Sequence, residues 1–155
     1  MLILGSVMAG PIVAQKPASP PATQAIDETQ RAKLYGSVHP LAQARYDRGA
    51  VPDAFLAERV LLLLSRPVEK ESALQEFLRQ VHQRGSANYH QWLTPQEFGE
   101  RFGPGDSDIQ AATDWLSAQG FRIARVTKSK QFLEFSGTAG QLGKAFHSEI
   151  HQYRC

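Results

Sequence analysis

The sequence holds a single cysteine, Cys155, and it is the last residue. No internal disulfide can form, and no cysteine-based metal site can be assembled. Nor is there much excess of charge of either sign. Seventeen Lys and Arg stand against fifteen Asp and Glu in 155 residues, a net charge of +2. The signs alternate, as in Glu69-Lys70-Glu71, and no basic stripe runs along any segment, which argues against a nucleic-acid partner. The uncharged run at residues 2–14 is too short for a membrane span, which takes about twenty apolar residues. Nor is there a nucleophile with a base beside it. His39, His82, His90, His147 and His151 each lack a recognisable serine elbow, so no serine triad suggests itself, no catalytic residue is assigned, and no cofactor or metal is implied.

What is present suits one folded domain with a tail: apolar residues make up 42% and charged ones 21%. Residues 2–14 read as the hydrophobic part of a secretory signal, with Ala9 or Ala14 as the small residue before cleavage, although the first basic residue is only Lys16. That placement makes the protein secreted, periplasmic or extracellular. Residues 15–37 are rich in Pro, Ala, Ser, Thr and Gln towards their start, cannot bury a core, and form a linker. The folded domain is expected over 38–155.

Within it, Arg59-Val-Leu-Leu-Leu-Leu-Ser65 is a short apolar run closed by Pro67, expected as a buried strand flanked by helices. Leu74, Phe77, Leu78 and Val81 share one face of a helix that Gly85 stops. Thr94-Pro95-Gln96-Glu97 carries a capping box with proline at the first helical position. Asp106 or Ser107 caps a helix running to Gln119, with Ile109, Ala112, Trp115 and Leu116 inward. Strands are expected at 121–127 and 131–136, joined by a turn at Lys128-Ser129-Lys130. Thr138 then caps a helix carrying Leu142, Ala145 and Phe146, and a further strand starts at Glu149. The order predicts an α+β fold, a ferredoxin-like split β-α-β sandwich with an extra helix in its first crossover. Helices on one face of its antiparallel sheet leave the other free for a partner.

The stretch Tyr89-His90-Gln91-Trp92-Leu93-Thr94-Pro95-Gln96-Glu97-Phe98 is followed by Arg101-Phe102-Gly103, Trp115-Leu116 and Gly120-Phe121. Then come Phe135-Ser136-Gly137-Thr138-Ala139, Ala145-Phe146 and Glu149-Ile150-His151, and upstream stand His39-Pro40, Asp47-Arg48-Gly49 and Leu61 to Leu64. In this order and spacing they closely resemble the activation pro-domain of the sedolisin (kumamolisin-like) serine-carboxyl peptidases, over roughly residues 38–154. The resemblance implies a pro-region that assists folding of its peptidase, blocks the active site and is removed at acidic pH. It also implies a partner, the sedolisin-type catalytic domain, normally in cis, whose catalytic Glu, Asp and Ser lie downstream. The pro-domain is expected to be incomplete at its carboxyl end, without the tail that fills the cleft, and so a weaker inhibitor than its extended form.

Several features receive plain structural expectations. Ser136-Gly137-Thr138-Ala139 resembles the nucleophile stretch of such peptidases, but Ala139 has no hydroxyl where the serine would stand. A strand end, a Gly turn and a Thr cap account for it. His147 and His151 straddle a helix-to-strand junction, so metal-ligand spacing on one helix does not apply. Tyr89, His90 and Trp92 are expected to anchor their loop in the core. The candidate partner interface is Phe132, Glu134, Glu149, His151 and Tyr153, on the last two strands. Protonation of Glu134, Glu149 or His151 below about pH 6 would alter its charge. An RNA- or protein-binding module on the same sandwich is the alternative. Phe132 as the sole aromatic of its strand face, next to Glu134, disfavours the RNA form.

Overall fold

The computed structural model describes residues 39–154 together with Thr29. The secretory signal expected at 1–14, the rest of the linker at 15–37 and Cys155 lie outside the described residues. The described chain is α+β, with four α-helices, a three-stranded antiparallel sheet and a two-stranded one. No helix among the described residues is long and apolar enough to cross a membrane.

The larger sheet is built from β2 (Leu56–Leu63), β3 (Arg122–Val126) and β4 (Phe132–Thr138) in the order β2-β4-β3, antiparallel throughout. A split β-α-β unit gives its first three strands this order, because the hairpin strand β4 returns to lie beside the strand that opened the unit. Residues paired across strands share a face. Leu62 opposite Leu133, and Val60 and Ile123 opposite Phe135, form the inner layer. Against it pack α3 (Asp106–Ala118), through Ala112 and Leu116, and α4 (Ala139–Phe146), through Leu142. Phe121, Leu133 and Phe135 complete this core. The sequence order therefore yields the expected sandwich, with helices on one side of the sheet.

The first crossover carries α1 (Val68–His82) and α2 (Pro95–Phe102) ahead of α3. These two bury each other: Leu74, Phe77 and Val81 meet Phe102, with Leu93 and Phe98 alongside. Of the four residues predicted on the inner face of α1, Leu78 is exposed, because α2 covers only the stripe through Leu74, Phe77 and Val81. The capping box of α2 forms as expected, with the Glu97 N–H donating to Thr94 Oγ1 and the Thr94 N–H donating to Glu97. A second box, Thr138 with Gln141, starts α4. The expected cap of α3 differs: Gly105 holds the N-cap position, without a side-chain bond.

Two further differences have clear causes. The leucine run in β2 is no buried strand, since Leu61 and Leu63 are 57% and 64% exposed. β2 is an edge strand and helices shield only one of its faces. An uninterrupted run of leucines carries no alternation to reveal that. The strand expected from Glu149 is β5 (His151–Tyr153), and it pairs with β1 (Asp47–Ala50) in a separate two-stranded sheet. Nothing in the sequence of β1 marks it as a strand. Asp-Arg-Gly-Ala has neither alternation nor β-branched residues, and only its partner makes it a strand.

Candidate docking interface

Among the described residues, no helix packs on the face of the β2-β4-β3 sheet away from α3 and α4. Cross-strand register arranges it in rows. Leu63 pairs with Phe132, then Leu61 with Glu134 and Glu134 with Arg125, then Ser136 with Arg122. One end is apolar and the other basic.

Two β-bulges produce the basic end. In β3 the register slips between Ile123 and Arg125. Arginines three residues apart would otherwise lie on opposite faces of a strand, and the extra residue Ala124 returns both to one face. In β2 the register slips between Ala57 and Val60, and Arg59 adopts a left-handed backbone (φ 57°) within the slip. Both outer strands thereby direct an arginine at the central carboxylate. Arg125 Nε lies 2.7 Å and Arg59 Nε 3.4 Å from Glu134, which is only 8% exposed. The hydrogen bond from Arg125 holds the Glu134 carboxyl below the usual carboxylate range against the opposing effect of burial, and the charge of Arg59 adds to it. Arg122 Nε donates to Ser136 Oγ at 3.4 Å.

The other predicted interface residues lie on the smaller sheet. His151 Nδ1 is 2.8 and 2.9 Å from the two Asp47 carboxylate oxygens, and its Nε2 is 3.2 Å from Glu149. Tyr153 pairs with Asp47, and its ring lies 6.4 Å from that of His151. Hydrogen bonding to Asp47, then to Glu149, raises the His151 pKa above its ordinary 6.5. Asp47 is lowered from 3.8, first by the Gly49 N–H and then by His151. The five predicted residues thus divide between two sheets, Phe132 and Glu134 on one and Glu149, His151 and Tyr153 on the other.

These shifts determine how pH acts. Glu134 keeps its charge to lower pH than a free carboxylate, and His151 takes up its proton at higher pH than a free imidazole. Both charge changes move outward from the interval between 4.5 and 6.5. The His151–Asp47 clasp contributes its full stability below about 6.5 and loses it as pH rises through the raised pKa. On the acid side it is lost as pH falls through the lowered pKa of Asp47. Thermal unfolding followed from pH 6 to pH 8 should show a fall in stability that His151→Gln abolishes. Equal slopes in both proteins would show that the clasp does not titrate in this range.

Trp92 corrects another expectation. It is not in the core: it is 70% exposed, with the rings of His82 and His90 6.0 and 6.2 Å away. The loop is anchored instead by Leu93, which packs on the α1–α2 core, and by the His90 N–H bonded to the Val81 carbonyl. His147 ends α4 in a left-handed conformation and His151 sits in β5, so the two do straddle the junction. The sequence alone did not single out Arg59, Arg122, Arg125, Leu61 and Leu63 as neighbours of Phe132 and Glu134 on one sheet face, or Asp47 as the partner of His151. The arginines share a face only because of the bulges, and no local signal marks those.

The sequence profile described as Pro-kumamolisin, activation domain, matches residues 48–155. The chain belongs to this family. Among relatives of this pro-kumamolisin activation domain is xanthomonalisin of Xanthomonas sp. (strain T-22). It is 33% identical over 106 residues, which is 68% of this chain and 13% of that protein. Sedolisin of Pseudomonas sp. (strain 101) is 27% identical over 109 residues, 69% of this chain and 19% of that protein. The chain spans under a fifth of the length of either relative. The matched region runs from β1 to the carboxyl end of the chain, so both sheets and all four helices belong to the activation domain.

Proposed function

We propose that this chain is the pro-region of a secreted sedolisin-type serine peptidase. It assists the folding of the catalytic domain, blocks the enzyme and is removed on acid activation. The domain itself performs no catalysis. The organisation read from the sequence accompanies this role: a secretory signal over 1–14, a linker over 15–37 and the pro-domain over 38–155.

The single observation that carries the proposal is the activation-domain match over a fold with one uncovered sheet face. A sheet with helices on one side offers a broad, rigid surface, and rigidity lowers the entropic cost of association. Leu61, Leu63 and Phe132 lie together on that surface, where large apolar side chains favour contact with another protein.

The purified chain should bind mature xanthomonalisin or mature sedolisin and slow hydrolysis of a peptide substrate. Binding should be tighter near pH 6.5 than near pH 4, where carboxylates across an interface begin to protonate. It should also raise the yield of active enzyme when either peptidase is refolded from denaturant. Absence of both binding and refolding assistance with both enzymes would overturn the proposal.

A further inference from the structure

We infer that the uncovered sheet face selects a carboxylate-bearing protein surface, with Arg59, Arg122 and Arg125 as the recognition groups beside an apolar contact at Leu61, Leu63 and Phe132. The inference rests on the pro-region reading, and it specifies the partner's chemistry: a patch on the catalytic domain in which Asp or Glu side chains border an apolar area.

Charge on this face is unbalanced by construction. The three guanidinium groups on its rows meet the nearly buried carboxylate of Glu134, and exposed Glu58, which shares the β2 slip opposite Ser136 with Arg59, adds a second carboxylate, leaving an excess of one positive charge. Glu134 is nearly buried and already accepts from two arginines, so it orients them and is not presented to a partner. Both arginines reach it through Nε, which leaves the Nη groups outside that contact. Their side chains remain 82% and 65% exposed. A guanidinium fork anchored at one corner is pre-organised for a second carboxylate, which it can bind with two parallel hydrogen bonds. Arginine also keeps its charge at any pH relevant to folding.

A polyanion such as RNA would satisfy the same arginines. The apolar row speaks against it. Single-stranded bases are held by stacking on aromatic rings, and here one phenylalanine stands opposite Leu63, with Leu61 in the next row beside Glu134. Aliphatic side chains in a row beside charge fit a protein surface, with its apolar centre and polar border.

Two substitutions of opposite expected sign test this. Binding to mature xanthomonalisin is measured by biolayer interferometry at low salt and in about 0.5 M salt, where the Debye length falls to a few ångströms. Arg122→Glu should weaken binding roughly tenfold and flatten its salt dependence. Glu134→Gln removes the carboxylate that neutralises Arg59 and Arg125. It should tighten binding several-fold and steepen the salt dependence. A purely structural role would make both variants weaker, and thermal unfolding of each identifies one that has lost the fold. An unchanged affinity in Arg122→Glu, or weakening by both folded variants, would overturn the inference and leave the pro-region reading standing. Failure of the wild-type chain to bind any peptidase of the family would remove the pro-region reading, and this inference with it. Binding of a fluorescein-labelled oligouridine as tight as binding of xanthomonalisin would replace the protein partner by RNA.

Discussion

Phe135→Ala should lower the unfolding free energy by about 3–5 kcal/mol, a range typical of a buried phenylalanine reduced to a methyl group. Phe135 lies in the middle strand of the sheet and is 1% exposed. Its ring meets Phe121 edge-on at 5.0 Å and Phe146 at 6.3 Å, and Val60 and Ile123 flank it on the neighbouring strands. Three elements therefore lose contacts together, and the surrounding backbone, fixed by two ladders, cannot collapse into the space. Domains of this size are stable by only about 5–15 kcal/mol, so the variant should sit close to its threshold. In urea, with a slope of about 2 kcal/mol per molar, the midpoint should fall by roughly 2 M. Leu63→Ala is the matched control. Its side chain lies on the uncovered face, and its loss should change stability by at most about 0.5 kcal/mol. Equal costs for the two would mean that the faces of the sheet are assigned the wrong way round.

Gly137→Ala should cost about 2–4 kcal/mol although it adds a single methyl group. A Cβ at this position would lie 2.5 Å from Cδ1 and 2.8 Å from Cε1 of Phe121, and 2.9 Å from Gln141 Oε1. Phe121 is buried and cannot swing away without opening the core, so overpacking alone contributes about 1–3 kcal/mol. Gln141 is engaged as well. It accepts from the Thr138 N–H at 2.8 Å to close the capping box of α4, and its Nε2 donates to the Gly120 carbonyl at 2.9 Å. Displacing that side chain loses the cap, worth about 1 kcal/mol, and loosens the join between the end of α3 and the start of α4. The glycine in Ser136-Gly137-Thr138 is thus needed for close approach of strand, ring and helix cap. Phe121→Leu in the Gly137→Ala background should recover part of the loss, giving a coupling of about 0.5–3 kcal/mol in a double-mutant cycle by urea denaturation. Strict additivity of the two substitutions would show that the ring is not what the methyl group meets.

Local chemistry decided much of this protein before any tertiary contact is considered. Thr94 and Thr138 begin helices because a hydroxyl followed three residues later by Glu or Gln satisfies orphan N–H groups at both positions. Leu74, Phe77 and Val81 recur at helical spacing and are buried on one stripe. The hairpin of β3 and β4 follows from two short strands and a turn, and the order of elements yields the sandwich. The same ordered residues carry the resemblance to activation pro-domains that the profile match shows.

The tertiary structure decided what depends on partners distant in the chain. A strand becomes an edge only when its neighbours are known, so the exposure of Leu61 and Leu63 could not be read from a run of leucines. Arg59, Arg122 and Arg125 share a face because two bulges shift the register against β4, and register belongs to a pair of strands. His151 and Asp47 lie 104 residues apart, and only the pairing of β1 with β5 makes them a charge pair. Periodicity along one segment is fixed by backbone geometry, whereas which segments meet is fixed by the free energy of the whole chain.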